Sequence, residues 1–138
     1  MLRGLTTITY LADDVAAAAR WYAELLGTEP YFTRPETGDP AYVEFRIGDY
    51  SHELGIMSTA YSAHPHGQPA GATAYWAVDD LNAAVARAVD LGATAHEPIT
   101  TRGDGFVTAS VVDPFGNILG LMFNQHYLDV LGEHDRTS

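Results

Sequence analysis

Apolar and polar residues alternate along this chain in short strand-like runs, with two longer helical stretches between them. Leu5 to Leu11 alternates as a strand, with Ile8 and Tyr10 on one face and Thr7, Thr9 and Leu11 on the other. Val15 to Leu26 is rich in strong helix formers, and Trp21, Leu25 and the alanines form a helical stripe. Asp13 or Asp14 is placed to cap that helix, and Gly27 to end it. Tyr31 to Thr33 reads as a strand and 34–40 as a loop. Tyr42 to Ile47 alternates cleanly, with Val43, Phe45 and Ile47 inward and Tyr42, Glu44 and Arg46 opposite. Gly48-Asp49 turns the chain. His52 to Met57 then returns with Leu54 and Ile56 inward and Glu53, Gly55 and Met57 opposite.

After a polar connector containing His64-Pro65-His66-Gly67, the same order begins again. Thr73 to Val78 predicts a strand, and Asp80 to Leu91 a helix with Leu81, Ala84, Val85, Ala88 and Leu91 at helical spacing. Ala93 to Pro98 reads as a short strand and 101–105 as a turn. Phe106 to Val112 and Asn117 to Phe123 make a closing hairpin about Asp113-Pro114-Phe115-Gly116. Beyond Asn124 the pattern supports a short helix from Tyr127 to Leu131 and then a frayed tail.

The repetition is visible in the residues. Thr7-Ile8-Thr9-Tyr10-Leu11-Ala12-Asp13-Asp14-Val15 has its counterpart in Thr73-Ala74-Tyr75-Trp76-Ala77-Val78-Asp79-Asp80-Leu81. The offset from Asp13 to Asp79 is 66 residues. Glu53-Leu54-Gly55-Ile56-Met57 echoes Leu119-Gly120-Leu121-Met122. Two copies are too few for a solenoid, so we expect one pseudo-symmetric α+β domain over 1–138, each copy running β-α-β-β-β. Copy one covers about 4–58, the connector 59–71, copy two about 72–125 and the tail 126–138. In each copy one sheet face is apolar beneath its helix, and the opposite face carries Thr, Tyr, Glu, Arg, Ser and Met.

Charge narrows the function. Eighteen acids against seven bases give a net charge of −11, with no basic patch for a phosphate backbone, so nucleic acid is excluded as a partner. No apolar run approaches the roughly 20 residues that span a bilayer, so no membrane partner is expected. Met1-Leu2-Arg3-Gly4 lacks a signal-peptide pattern, and a cytoplasmic location is the expectation. The chain has no Cys and therefore neither a disulfide nor a thiolate site.

The doubled βαβββ plan, the Asp-Asp-Val…Trp21-Tyr22…Leu25-Leu26-Gly27 motif and Val112-Asp113-Pro114-Phe115-Gly116-Asn117 resemble the vicinal oxygen chelate superfamily. Its members include glyoxalase I, the bleomycin-resistance proteins and extradiol dioxygenases. The resemblance implies two modules forming a half-barrel cleft. In metal-dependent members the ligands come from the first and last strand of each module. Here the first-strand positions fall on Thr7 and Thr73. The last-strand positions fall on Gly120 and on Gly55, or on Glu53 if the alignment slips by two. Hydroxyls are weak ligands and Gly has no side chain. We therefore expect a metal-free member without a cofactor, similar to the bleomycin-resistance proteins. It would sequester a small organic ligand and would be a homodimer.

Strand parity assigns Thr7, Thr9, Tyr42, Glu44, Arg46, Met57, Thr73, Tyr75, Thr108, Ser110 and Met122 to the ligand face, and His126 is placed to close it. Glu44 and Arg46 share a face, either for a polar ligand or as a solvated ion pair. His64 and His66 read as solvated loop residues, and His96 as a strand-edge residue. Trp21 and Trp76 read as core. The competing expectation is an enzyme of the same fold, a lyase, isomerase or dioxygenase, with Glu53 as general base or metal ligand. A ligand-sensing or immunity role beside another protein is a third.

Overall fold

The computed structural model describes residues 1–137. Its elements run β1 (Thr7–Ala12), α1 (Val15–Leu26), β2 (Phe32–Arg34), β3 (Tyr42–Ile47) and β4 (His52–Ser58). After a 3-10 turn at Thr59–Tyr61 come β5 (Ala74–Ala77), α2 (Leu81–Asp90), β6 (Thr94–Gly103), β7 (Phe106–Val112), β8 (Ile118–Asn124) and α3 (Gln125–Thr137). The α+β class and the two βαβββ modules follow directly. No helix among the described residues is long and apolar enough to cross a membrane.

The chain divides into two compact units. The first takes in 1–68 with 115–117, and the second 69–114 with 118–138. The first holds a four-stranded sheet in the order β1-β4-β3-β2, in which only the β1–β4 pair is parallel. Asp14 caps α1, its carboxylate accepting the Ala17 amide at 3.0 Å, and Gly27 closes the helix in the left-handed region. Val43, Phe45, Leu54 and Ile56 of the sheet and Val15, Ala18 and Tyr22 of α1 are buried and make the core of this unit. That leaves the other sheet face without a helix.

The second unit repeats the plan. Its sheet runs β5-β8-β7-β6, with β5–β8 parallel. Asp80 caps α2 through the Ala83 amide at 3.0 Å, matching Asp14 in the first unit. Leu81 and Ala88 of the helix, and Ala109, Val111, Leu119 and Leu121 of the sheet, make its core.

Several element boundaries differ from the sequence reading. The second strand starts at Phe32, because Tyr31 only extends the ladder by one amide bond to Glu44. The sixth strand does not stop at Pro98 but continues to Gly103, leaving a two-residue turn at Asp104-Gly105. It is an edge strand with three register shifts, so the missing Pro98 amide costs no ladder bond. Asn117 stays out of β8, its side chain being used elsewhere. Leu11 is buried although its parity pointed to the polar face. The final helix runs from Gln125, not Tyr127, because Asn124 caps it at the Tyr127 amide, 3.1 Å away. Of the expected tail, Ser138 lies outside the described residues.

Candidate functional site

The helix-free face of the first sheet brings four of the expected residues into one hydrogen-bonded cluster with Tyr31, which was not expected, and a fifth, Arg46, stacks on it. Thr7 and Glu53 are direct partners across the parallel β1–β4 pair. The Thr7 hydroxyl donates to Glu53 Oε1 at 2.8 Å. On β3 the Tyr42 hydroxyl donates to Glu44 Oε1 at 2.6 Å. Tyr31 bridges the two carboxylates: its hydroxyl donates to Glu44 Oε2 and lies 3.5 Å from Glu53 Oε2. The guanidinium of Arg46 stacks on the Tyr31 ring, 4.5 Å from its centroid. Of the two readings of Glu44 and Arg46, the solvated ion pair is not formed, and Arg46 makes a cation–π contact instead.

Two acids so close cannot both ionise freely. Glu44 is raised above the ordinary carboxylate range, first by loss of water and then by the charge of Glu53 and its hydrogen bond, with Arg46 opposing. Burial and the same Glu53 charge also raise the Tyr42 phenol. Glu44 and Tyr42 thus hold their protons more tightly than isolated side chains would.

Tyr42 does more than donate. A Cβ built at Gly55 would come within 2.8 Å of the Tyr42 ring, so the ring fills the space above that glycine. Phe32 meets Tyr42 edge-on at 6.2 Å, and Arg34 stacks on Phe32 at 4.2 Å. Thr9 lies exposed on the same face opposite Gly55, and Met57 sits half-buried opposite Tyr42. Two hollows of about 230 and 210 Å³ lie elsewhere on the unit, the first beside Arg20, Glu24 and Glu29 and the second beside Asp13, Asp14 and Asp39.

In the second unit the corresponding face carries Tyr75, Gly120, Met122, Thr108 and Ser110, with Thr73 just ahead of β5. A Cβ at Gly120 would strike the Ala74 carbonyl and the Tyr75 ring, each 2.7 Å away. Thr108 and Ser110 are buried and bonded to Arg102 and His96 of the edge strand. His126 is exposed at the start of α3, with no bond to the other residues of this face.

The positions that hold a metal in related enzymes do not fit one here. Gly55 is covered by Tyr42, and Gly120 is closed in by backbone and Tyr75. Among the described residues no three His, Cys, Asp or Glu gather where they could hold an ion.

Sequence reasoning missed Tyr31: it places the residue in a strand but not on the ligand face, whereas Tyr31 precedes β2 and reaches the carboxylates from there. It also missed Arg102, hidden in a stretch read as a turn. His66 is not a solvated loop residue as expected: it is half-buried, and its Nε2 donates to the Phe115 carbonyl at 2.7 Å.

A profile of the family described as Glyoxalase/Bleomycin resistance protein/Dioxygenase superfamily matches residues 4–121. No curated protein matches the chain. Among solved structures, a glyoxalase-related enzyme from Fulvimarina pelagi aligns with TM-score 0.69 and 21% identity, over 90% of each chain. TioX from Micromonospora sp. ML1 aligns with TM-score 0.66 and 16% identity, over 87% of this chain and 98% of that one. A glyoxalase/bleomycin resistance protein from Catenulispora acidiphila DSM 44928 aligns with TM-score 0.58 and 24% identity, over 86% and 97%. Likeness at these identities concerns the fold alone.

Proposed function

The chain belongs to the glyoxalase/bleomycin resistance protein/dioxygenase superfamily, and from that premise we propose that it is a small-molecule-binding protein. It captures an organic ligand on the helix-free face of the first unit and makes or breaks no bond. The observation that carries this reading is the Glu44–Glu53 network itself. Each carboxylate is already oriented by neighbouring hydroxyls: Tyr31 and Tyr42 at Glu44, and Thr7 at Glu53. The rings of Tyr31, Phe32 and Tyr42 give apolar area beside these polar groups, the mixture that small-molecule sites use. Sequestration needs only affinity for the ligand, which such a mixture of apolar and polar groups supports.

A direct test is capture. The full chain is incubated with a set of small organic compounds, separated from free compound by gel filtration, and the retained material identified by mass spectrometry. The expected result is a bound compound recovered unchanged, with retention weakened by Glu53→Gln and by Tyr42→Phe. Recovery of a chemically converted compound would overturn the binding reading in favour of an enzyme with Glu53 as its base.

A further inference from the structure

Two hydroxyls on the helix-free face of the second sheet are almost wholly buried, and each is committed to a side chain of the edge strand β6. Thr108 is 9% exposed and Ser110 2%. They stand two residues apart on β7 and therefore share a face.

Ser110 fixes the state of His96. Its Oγ accepts the Glu97 amide N–H at 3.2 Å and lies 2.9 Å from His96 Nδ1. A serine hydroxyl has one proton to give. If Nδ1 carried a proton, Ser110 would have to accept twice and its own proton would be stranded away from water. Buried donors are rarely left so. Ser110 therefore donates to Nδ1, and the neutral ring carries its proton on Nε2. His96 is exposed, and Nε2–H has no acceptor among the described residues.

Arg102 is held in a parallel way. Its Nε donates to Thr108 Oγ1 at 3.1 Å, and Nη2 lies 3.4 Å from Glu97 Oε2. That ion pair is long and about half exposed at both ends, 54% and 48%, so it is easily given up. Nη1 has no partner among the described residues. Glu97 ties the two sets together, with its amide on Ser110 and its carboxylate on Arg102. His96 and Arg102 are thus held on hydroxyls two residues apart on one face of β7.

We infer that this face of the second unit is a carboxylate-binding site. The Nε2–H of His96 and the guanidinium of Arg102 take an anionic group of an organic ligand, and Ser110 and Thr108 position the two donors. Glu97 occupies the arginine until the ligand displaces it. A monoanion fits better than a phosphate dianion. The net charge of −11 repels both, but beyond about 8 Å at physiological salt that repulsion is largely screened, and a single charge suffers least from what remains. The inference deepens the binding reading above, extends it to the second unit and rests on it.

The test uses the full 15N-labelled chain, with benzoate and its neutral isostere benzamide as probes at constant ionic strength. With its ring neutral, His96 should show the Nε2–H tautomer, and Ser110→Ala should abolish that preference. Benzoate should shift the His96 ring nitrogens and Arg102 Nε saturably, and benzamide should not. Arg102→Gln should weaken benzoate about tenfold, the scale of one charge-assisted bond, and Glu97→Gln should tighten it several-fold. These two exposed substitutions carry the test if Ser110→Ala does not fold. An Nδ1–H tautomer would overturn the proposal. So would an equal response to benzamide, which would leave ligand binding standing but not the carboxylate class. A stability loss in Ser110→Ala with benzoate affinity unchanged would overturn it too and make the Ser110–His96 bond a pin for the edge strand. Silence of the whole chain to both probes would overturn it together with the binding reading for this unit.

Discussion

The ring of Tyr42 lies over Gly55, and the two cannot both carry bulk: a Cβ at position 55 would meet Cε2 at 2.8 Å and Cζ at 2.9 Å. In the related metalloenzymes the last strand of the module brings a ligand into this neighbourhood. Here an aromatic ring fills it and turns its hydroxyl to Glu44.

Gly55→Ala should therefore destabilise the protein, although alanine is the better strand residue. The propensity gain is a few tenths of a kcal/mol, whereas displacing a packed ring costs ~1–3 kcal/mol. In the Tyr42→Ala background the same substitution should be neutral or stabilising. A thermal double-mutant cycle checks this, and additive effects would mean that the ring does not press on position 55.

Asn117 offers a second test. Its carboxamide accepts the Leu11 amide at 3.0 Å and donates to the Leu11 carbonyl at 2.8 Å. It thus acts as a one-residue strand neighbour on the open edge of β1. Leu11 is 5% exposed, so loss of both bonds strands two backbone groups away from water. Asn117→Ala should cost about 2–4 kcal/mol, and Asn117→Asp no less, because it loses the donor and sets a carboxylate oxygen against the Leu11 carbonyl. Denaturant midpoints at fixed pH measure both. A loss for Asp well below that for Ala would show that the Leu11 amide bond alone holds this edge.

These two relationships show where the sequence was readable and where it was not. The doubled plan was legible because Asp14 and Asp80 open equivalent helices and because alternation separates Val43 and Phe45 from Tyr42 and Glu44. Glu53, Glu44, Tyr42 and Thr7 were legible as neighbours because strand parity puts them on one face. Tyr31 was not, because it reaches the carboxylates from outside the strand. Asn117 looked like a strand residue, because a side chain imitating a backbone partner leaves no periodic trace. The extent of β6 was hidden by Pro98 and by Gly103, which mark a break in a central strand but are tolerated on an edge.

The equivalence of the two modules predicts equal capping energies. Asp14 and Asp80 each accept an amide three residues on at 3.0 Å. Replacing either by Ala should cost about 1 kcal/mol, and replacing both about twice that, since the sites share no partner. Melting curves of the three variants decide it. A loss confined to one variant would mean that only one cap contributes to stability.

The Glu44–Glu53 pair should make stability depend on pH with a defined sign. Glu44 holds its proton to a higher pH in the folded protein than in the unfolded chain. The folded state therefore binds more protons as the unfolded carboxyl titrates, and stability falls as pH rises from the ordinary carboxylate range through the raised value. Below the unfolded value this contribution is complete. Glu44→Gln should flatten that part of the profile and gain stability toward neutrality relative to the wild type. Urea midpoints measured across the range check the sign. An unchanged slope in the variant would assign the titration to another group.

Glu53 separates capture from catalysis most sharply. In the binding reading its carboxylate, steadied by Thr7, contributes one charge-assisted contact to the ligand, so Glu53→Gln should weaken retention of any captured compound by roughly tenfold. Thr7→Val should have a smaller effect in the same direction, because it frees the carboxylate without removing its charge. Neither substitution should alter the melting temperature much, because the Thr7–Glu53 bond is exposed and a net hydrogen bond contributes only ~0.5–1.5 kcal/mol. If Glu53 is instead a proton-abstracting base, Glu53→Gln would retain the compound with undiminished affinity and lose only its conversion. Equilibrium dialysis run beside a product assay distinguishes the two outcomes, since the first requires the affinity to move and the second requires it to stay.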